Sequence, residues 1–293
     1  MRQSGRFRLI AGACALALVV ILALVLTRGG GNDTSLVSGS AIADAANATE
    51  RVPGSTFTAE AKIDAPGLQE PLVMHMQGTV DTRGRTARLV GTYSNFPKQV
   101  PGQNANGDVP FEMIAALPDF YMKSPLFQPA LPSGKSWVHV DIAKAGRKLG
   151  VGDPTQFGAS DPTQTVQNLR AVSSTVERVG SEDVRGVPTT HYRAKVELRR
   201  LPAVVPAARR AQAKKTADRL IQLIGADSYP IDVWIDRRHL VRRIGFVMHM
   251  KVQGNSTTSA VTTEMYDFGP KQKAKPPPAA ETVDASSLPG ATP

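Results

Sequence analysis

Tyr229-Pro230-Ile231-Asp232-Val233-Trp234-Ile235-Asp236 sets Ile231, Val233 and Ile235 in alternation with Asp232, Trp234 and Asp236. A period of two marks a strand with one dry face and one wet face. Asp236-Arg237-Arg238-His239 is a polar turn, and the chain returns from Leu240 to Val252 with Ile244, Phe246, Met248, Met250 and Val252 on one side. Arg243, Val247, His249 and Lys251 fall on the other. The spacing predicts a long hairpin with a soft apolar face and with Asp232, Asp236 and His249 pointing outward. These residues leave open whether the apolar face closes on a core or on a ligand.

The same pattern runs outward from this hairpin. Phe57, Ala59, Ala61 and Ile63 alternate with Thr58, Glu60 and Lys62, while Leu72, Met74, Met76, Gly78 and Val80 alternate with Val73, His75, Gln77 and Thr79. Asp81-Thr82-Arg83-Gly84 turns the chain into a strand over Arg85–Tyr93, which predicts an antiparallel meander. Past a Pro/Gly/Asn loop at 97–110, Phe111–Leu117, Phe120–Lys123 and Lys135–Ile142 read as further strands. Ser174–Val179 and Thr189–Leu198 flank a connector at Gly180–Val187, with Tyr192, Ala194, Val196 and Leu198 on one face. Val261–Phe268 reads as the last strand. Pro270-Lys271-Gln272-Lys273-Ala274-Lys275 then predicts a frayed edge leading into a proline-rich tail.

Helical patterns are fewer. Ile42–Arg51 is a short Ala-rich segment. Asp161-Pro162-Thr163-Gln164 opens a helix with an acidic cap, proline at the first position and glutamine three residues on, and Val166 and Leu169 supply its buried side. Ala207–Ile224 places Ala217, Leu220, Ile221 and Ile224 at i, i+3, i+4 and i+7, opposite Arg209, Arg210, Lys214, Lys215 and Arg219. The fold class is therefore α+β, an antiparallel sheet with two amphipathic helices over one face.

Leu9–Leu26 is uncharged and follows Arg2, Arg6 and Arg8. An apolar run of about 18 residues reaches the length of a membrane span, and the leading arginines hold its start inside the cytoplasm. The expected organisation is a signal anchor or signal peptide over 1–28, a flexible linker over 29–40, a domain over 41–285 and a disordered tail over 286–293. That places a single-pass, membrane-tethered domain outside the cytoplasm, with a secreted or lipid-anchored domain as the alternative. Cys14 is the single cysteine, so no intrachain disulfide forms. Twelve apolar residues follow it, whereas a lipid-bearing cysteine follows its apolar core, so Cys14 reads as a small residue inside the span.

Of the net charge of +10, Arg2, Arg6, Arg8 and Arg28 supply four. The remaining basic residues are dispersed, without interleaved aromatics or a reader motif, which argues against a nucleic-acid partner. Weak attraction to anionic lipid or cell-wall polymer fits better. The chain lacks a His-Glu-x-x-His helix, a Gly-x-Ser-x-Gly elbow and a phosphate-cradling loop, so it reads as non-enzymatic and without a cofactor. Met74-His75-Met76 and Met248-His249-Met250 hold copper-ligand types. On a strand, however, the methionines face one way and the histidine the other, so neither triplet converges on one ion. The inward methionines form an adaptable apolar lining.

Five segments taken in order carry a resemblance: Lys135-Ser136-Trp137-Val138-His139-Val140-Asp141, Asp161-Pro162, Gly186-Val187-Pro188-Thr189-Thr190-His191-Tyr192, Pro230–Asp236, and Tyr266-Asp267-Phe268-Gly269. Over residues 42–284 the chain resembles the LolA-like, LppX/LprG-type extracytoplasmic proteins of actinobacteria. The resemblance implies a curved antiparallel half-barrel with helices covering its concave face. It also implies non-enzymatic binding or carriage of a lipid, lipoprotein or lipoglycan between sheet and helices. Sensors that bind envelope proteins share that fold, so the alternative is an interaction module with a filled core. The expected ligand face is Met74, Met76, Tyr192, Leu220, Ile224, Phe246, Met248 and Met250, with no metal and no catalytic set.

Overall fold

The computed structural model describes residues 41–96, 102–141, 176–204, 207, 210–252 and 255–288. In chain order the elements are α1 (Ala41–Arg51), β1 (Gly54–Asp64), β2 (Leu72–Asp81), β3 (Thr86–Ser94), β4 (Val109–Ala116), β5 (Asp119–Lys123) and β6 (Trp137–Asp141). They continue with β7 (Glu177–Val184), β8 (Val187–Glu197), α2 (Arg210–Ile224), β9 (Ser228–Asp236), β10 (Val241–Val252), β11 (Asn255–Tyr266) and β12 (Thr282–Asp284). The strands form one unclosed sheet in the order β12-β6-β5-β4-β3-β2-β1-β11-β10-β9-β8-β7. Two meanders are thus zipped together along β1 and β11, over the register Thr56↔Tyr266 to Asp64↔Thr258. The helix that opens at Asp161, with Val166 and Leu169, lies outside the described residues, as do the segment 9–26 and Cys14.

Twisted open sheets rarely exceed about ten strands without curling, and this one curls. A single apolar cluster joins Phe120 on β5 to Ala194 and Val196 on β8, at opposite ends of the sheet. Two inward glycines assist. A Cβ at Gly78 would overlap the carbonyl of Arg88, and one at Gly91 would overlap the carbonyl of His75 and the Phe111 ring. Glycine in a strand interior marks such a bend or close approach. One inner row follows from the pairings: Val109, Tyr93, Met74, Ala61, Val261, Phe246, Ile231 and Ala194, on eight successive strands. All are at most 7% exposed. Each large apolar side chain so buried contributes about 1.5–3 kcal/mol.

α1 completes this core with Ile42, Ala45 and Ala46, and the Thr49 hydroxyl accepts from the Val241 amide at 2.8 Å. α2 lies against β10 and the 3-10 segment Leu198–Val204, burying Ala213 and Ala217.

Several sequence expectations change in the structure. Gly180–Val187 is not a connector, because β7 continues to Val184. The turn is only Arg185-Gly186, both at positive φ (51° and 73°), the two-residue hairpin geometry that matches strand twist. The last long strand begins at Asn255, since 255–257 pair with β10 and 258–260 with both β10 and β1 despite lacking an apolar period. The segment after Phe268 does not fray. Gly269 donates to the Gly54 carbonyl at 2.9 Å, and the buried Ala274 donates to the Thr86 hydroxyl at 3.0 Å. Ala274 also packs with Ile114 and Trp137 in a second small core, and β12 then adds to β6 in parallel. The carboxyl-terminal segment is therefore a strap across the outer face.

Candidate functional site

The pleat puts the expected ligand residues where the alternation placed them. Met74 and Met76 on β2 and Phe246 and Met250 on β10 are 0, 4, 7 and 7% exposed, while His75 and His249 between them are exposed. Met248 and Tyr192 are half-buried and pack against the same inner cluster. Leu220 and Ile224 are half-buried on α2, the helix that touches β10. The inner face therefore gathers Met74, Met76, Tyr192, Phe246 and Met248, with α2 bordering it at β10. At 0–7% exposure the methionines of β2 and the buried pair on β10 touch protein rather than water.

One column of this face escaped the sequence reading. On β11 the side chains of Thr257, Ser259, Thr263 and Met265 point inward beside Val261, and the three hydroxyl residues are 4, 1 and 2% exposed. Ser259 pairs across the sheet with Ile63 and Met248, and Thr263 with Ala59 and Ile244. The hydroxyls of Ser259 and Thr263 are fully enclosed and have no hydrogen-bond partner among the described residues. An orphaned buried polar group costs about 1–3 kcal/mol. The only signal in the sequence was Ser259 and Thr263 sharing the parity of Val261.

Tyr229, at the start of β9, edges the same face. Its ring meets Phe246 edge-on at 6.1 Å, and burial pushes its phenol up to about 12.

The hairpin's acidic residues divide differently from expectation. Asp232 faces outward, but Asp236 is 6% exposed. Its carboxylate accepts from the Arg238 and Leu240 amides, both at 2.9 Å, and from Arg242 Nε at 2.7 Å. The register shift between Val241 and Arg243 brings Arg242 round to meet it. Asp236 is the hub of the turn, with both carboxylate oxygens bonded to the turn itself.

The two histidines that a hydrolytic site would draw on stand nine strands apart in the sheet order. His191 donates to or accepts from Asp232 at 2.6 Å and stacks on Trp234 at 4.2 Å, with Arg243 over the indole at 5.1 Å. His139 on β6 lies between Asp119 at 2.7 Å and Asp284 of β12 at 3.2 Å, fastening the strap. The Asp284 carboxyl is held below the usual carboxylate range, chiefly by hydrogen bonds from Ser286 and to a lesser degree by His139. Among the described residues no group of three or more His, Cys, Asp or Glu side chains is placed to hold a metal ion.

No family model matches the sequence. The chain is 28% identical over 218 residues to an uncharacterized 31.2 kDa protein of Streptomyces griseus, spanning 72% of this chain and 69% of that one. It is also 28% identical over 161 residues to a Streptomyces coelicolor protein named as a candidate lipoprotein, spanning 53% of this chain but only 44% of the relative. Among solved structures it is similar to the lipoprotein LppX of Mycobacterium tuberculosis, with 15% identity, a TM-score of 0.45 and coverage of 80% of this chain and 96% of the other. LprF of Mycobacterium bovis follows with 15% identity, a TM-score of 0.40 and coverage of 80% and 95%.

Proposed function

We propose that this protein is a membrane-tethered, extracytoplasmic binding protein that takes an acyl lipid, or the acyl portion of a lipoprotein or lipoglycan, against the inner face of its curled sheet. The observation that carries the reading is the β11 column. Two enclosed hydroxyls with no partner sit between the deformable methionines of β2 and those of β10. A ligand reaches them only where the methionines part, and an ester or hydroxyl group on its apolar chain would then supply what each lacks. Methionine side chains repack readily around such chains, and the work asked of the protein is binding rather than bond-making. The segment 9–26 supports the tether, and the name of the coelicolor relative supports an envelope location. Among the described residues no helix is long and apolar enough to cross a membrane, so a tether in the bilayer rests on that amino-terminal segment.

Titration of the purified domain with cis-parinaric acid tests the proposal. Saturable, near-stoichiometric fluorescence gain is expected, weakened at least tenfold by Met248→Asp, which places a charge on the half-buried edge of the face. Absence of saturable gain would sink it.

A second reading has its own support. The low exposure of Met74, Met76, Phe246 and Met250 is what a filled core produces, and a filled core suits an envelope interaction module. That reading predicts a protein partner recovered by cross-linking at the cell surface and no acyl-probe binding.

A further inference from the structure

The outer face of the sheet carries a groove of about 660 Å³, within the range of about 300–1,000 Å³ usual for small-ligand sites. The acyl-lipid reading leaves it unused, since the groove lies on the other side of β1, β2, β3 and β11. Its floor is a two-row lattice set by the strand register. Thr92, His75, Glu60 and Thr262 form one row, and Val90, Gln77, Thr58 and Glu264 form the other. At one end the β7–β8 turn closes it: Arg185 reaches across to bond Thr58 and Glu264, both at 2.8 Å.

The chemistry of this floor is polar and almost neutral. Glu60 is balanced by Lys62 at 2.9 Å and faces His75 at 3.4 Å, and Glu264 is shared by Arg185 and Arg243, each at 2.8 Å. No carboxylate is left to draw a cation, and Lys62, Arg185 and Arg243 are each paired, so among the described residues no free cation is left there to draw phosphate or another anion. What remains unspent is hydrogen-bonding capacity. The side chains of Gln77, Thr92 and Thr262 make no hydrogen bond among the described residues, and Val90, at 42% exposure, gives a small apolar step beside them. A hydroxyl both donates and accepts, so a polyhydroxylated ligand satisfies a mixed array of amide, hydroxyl and imidazole groups in any order.

We infer that this outer groove binds a neutral glycan, independently of whatever occupies the inner face. Saturation-transfer NMR on the detergent-solubilised full chain, with maltohexaose, a dextran hexamer and chitohexaose as probes, tests it. The expected result is transfer to the ring protons of at least one probe. Affinity should fall about thirtyfold, or about 2 kcal/mol, in Gln77→Leu/Thr92→Val, which removes two hydrogen-bonding side chains. The single exposed change Val90→Arg should weaken binding while leaving the melting temperature unchanged, which separates loss of the site from loss of the fold. Binding of cis-parinaric acid should be the same in all these variants. Failure of every neutral probe, preference for a uronic-acid oligomer, or affinity unmoved by both variants would each overturn the inference.

Discussion

At the scale of single residues, the most telling groups are those that the fold holds at a loss. The hydroxyls of Ser259 and Thr263 are enclosed and unpaired among the described residues. Replacing an orphaned hydroxyl by an apolar group of similar shape removes the penalty without opening a cavity. Ser259→Ala/Thr263→Val should therefore stabilise the ligand-free protein by about 1–3 kcal/mol for each group, read as a higher urea midpoint at constant m-value, and should weaken acyl-probe binding at the same time. A lower midpoint with binding unchanged would show that the hydroxyls serve the fold. Tyr229 makes the opposite kind of statement. Its folded-state phenol is raised from 10.0 to about 12, so the neutral form is favoured by folding. That contribution is complete below pH 10 and fades as pH rises toward 12, by about 2 kcal/mol for a ring that keeps some exposure. Urea midpoints measured across this window should fall steeply in the native chain and less in Tyr229→Phe.

At the scale of elements, what the sequence showed and what it concealed have physical reasons. Alternation in Phe57–Ile63, Leu72–Val80 and Tyr229–Asp236 forecast β1, β2 and β9 with the correct inward faces, because a half-buried strand writes its environment into every second residue. The start of β11 was invisible because Asn255–Ala260 is polar at every position but the last, and its place is fixed by partners on both sides. The strap was missed for a related reason. Ala274 and β12 are held by the distant Thr86 and β6, and lysines around Ala274 disguise a buried position. Asp236 keeps the outward parity of Asp232, but the turn amides of Arg238 and Leu240 and the Arg242 side chain close over it and bury it. The curl, in contrast, depends on Gly78 and Gly91. Gly91→Val would drive its side chain into the His75 carbonyl and the Phe111 ring. A cost of about 1–3 kcal/mol is expected from such overpacking. Thermal melts should show it, whereas the same change at Gly107, in an open turn with φ of 81°, should cost through backbone strain alone.

At the scale of the molecule, the account is of a single curled sheet with separate business on its two faces. The inner face collects Met74, Met76, Tyr192, Phe246 and Met248 into one apolar cluster, and the sequence announced these residues through parity. It did not announce the polar column beside them, because buried serine and threonine look like surface residues until the register is known. The outer face is fastened by ion pairs such as Arg243 with Glu264 and Glu182 and by the carboxyl-terminal strap, and it carries the groove. An unclosed sheet of this length keeps two edges and one concave face, an arrangement that can part and close around an acyl chain more easily than a sealed barrel. The central claim is that the inner face takes such a chain. Its most direct test is mass spectrometry of the organic extract from the domain purified from its own envelope without detergent. The account predicts acyl lipid at near one equivalent per protein, lost in Met248→Asp. An extract free of acyl species, from a protein that also fails to take up added lipid, would contradict it.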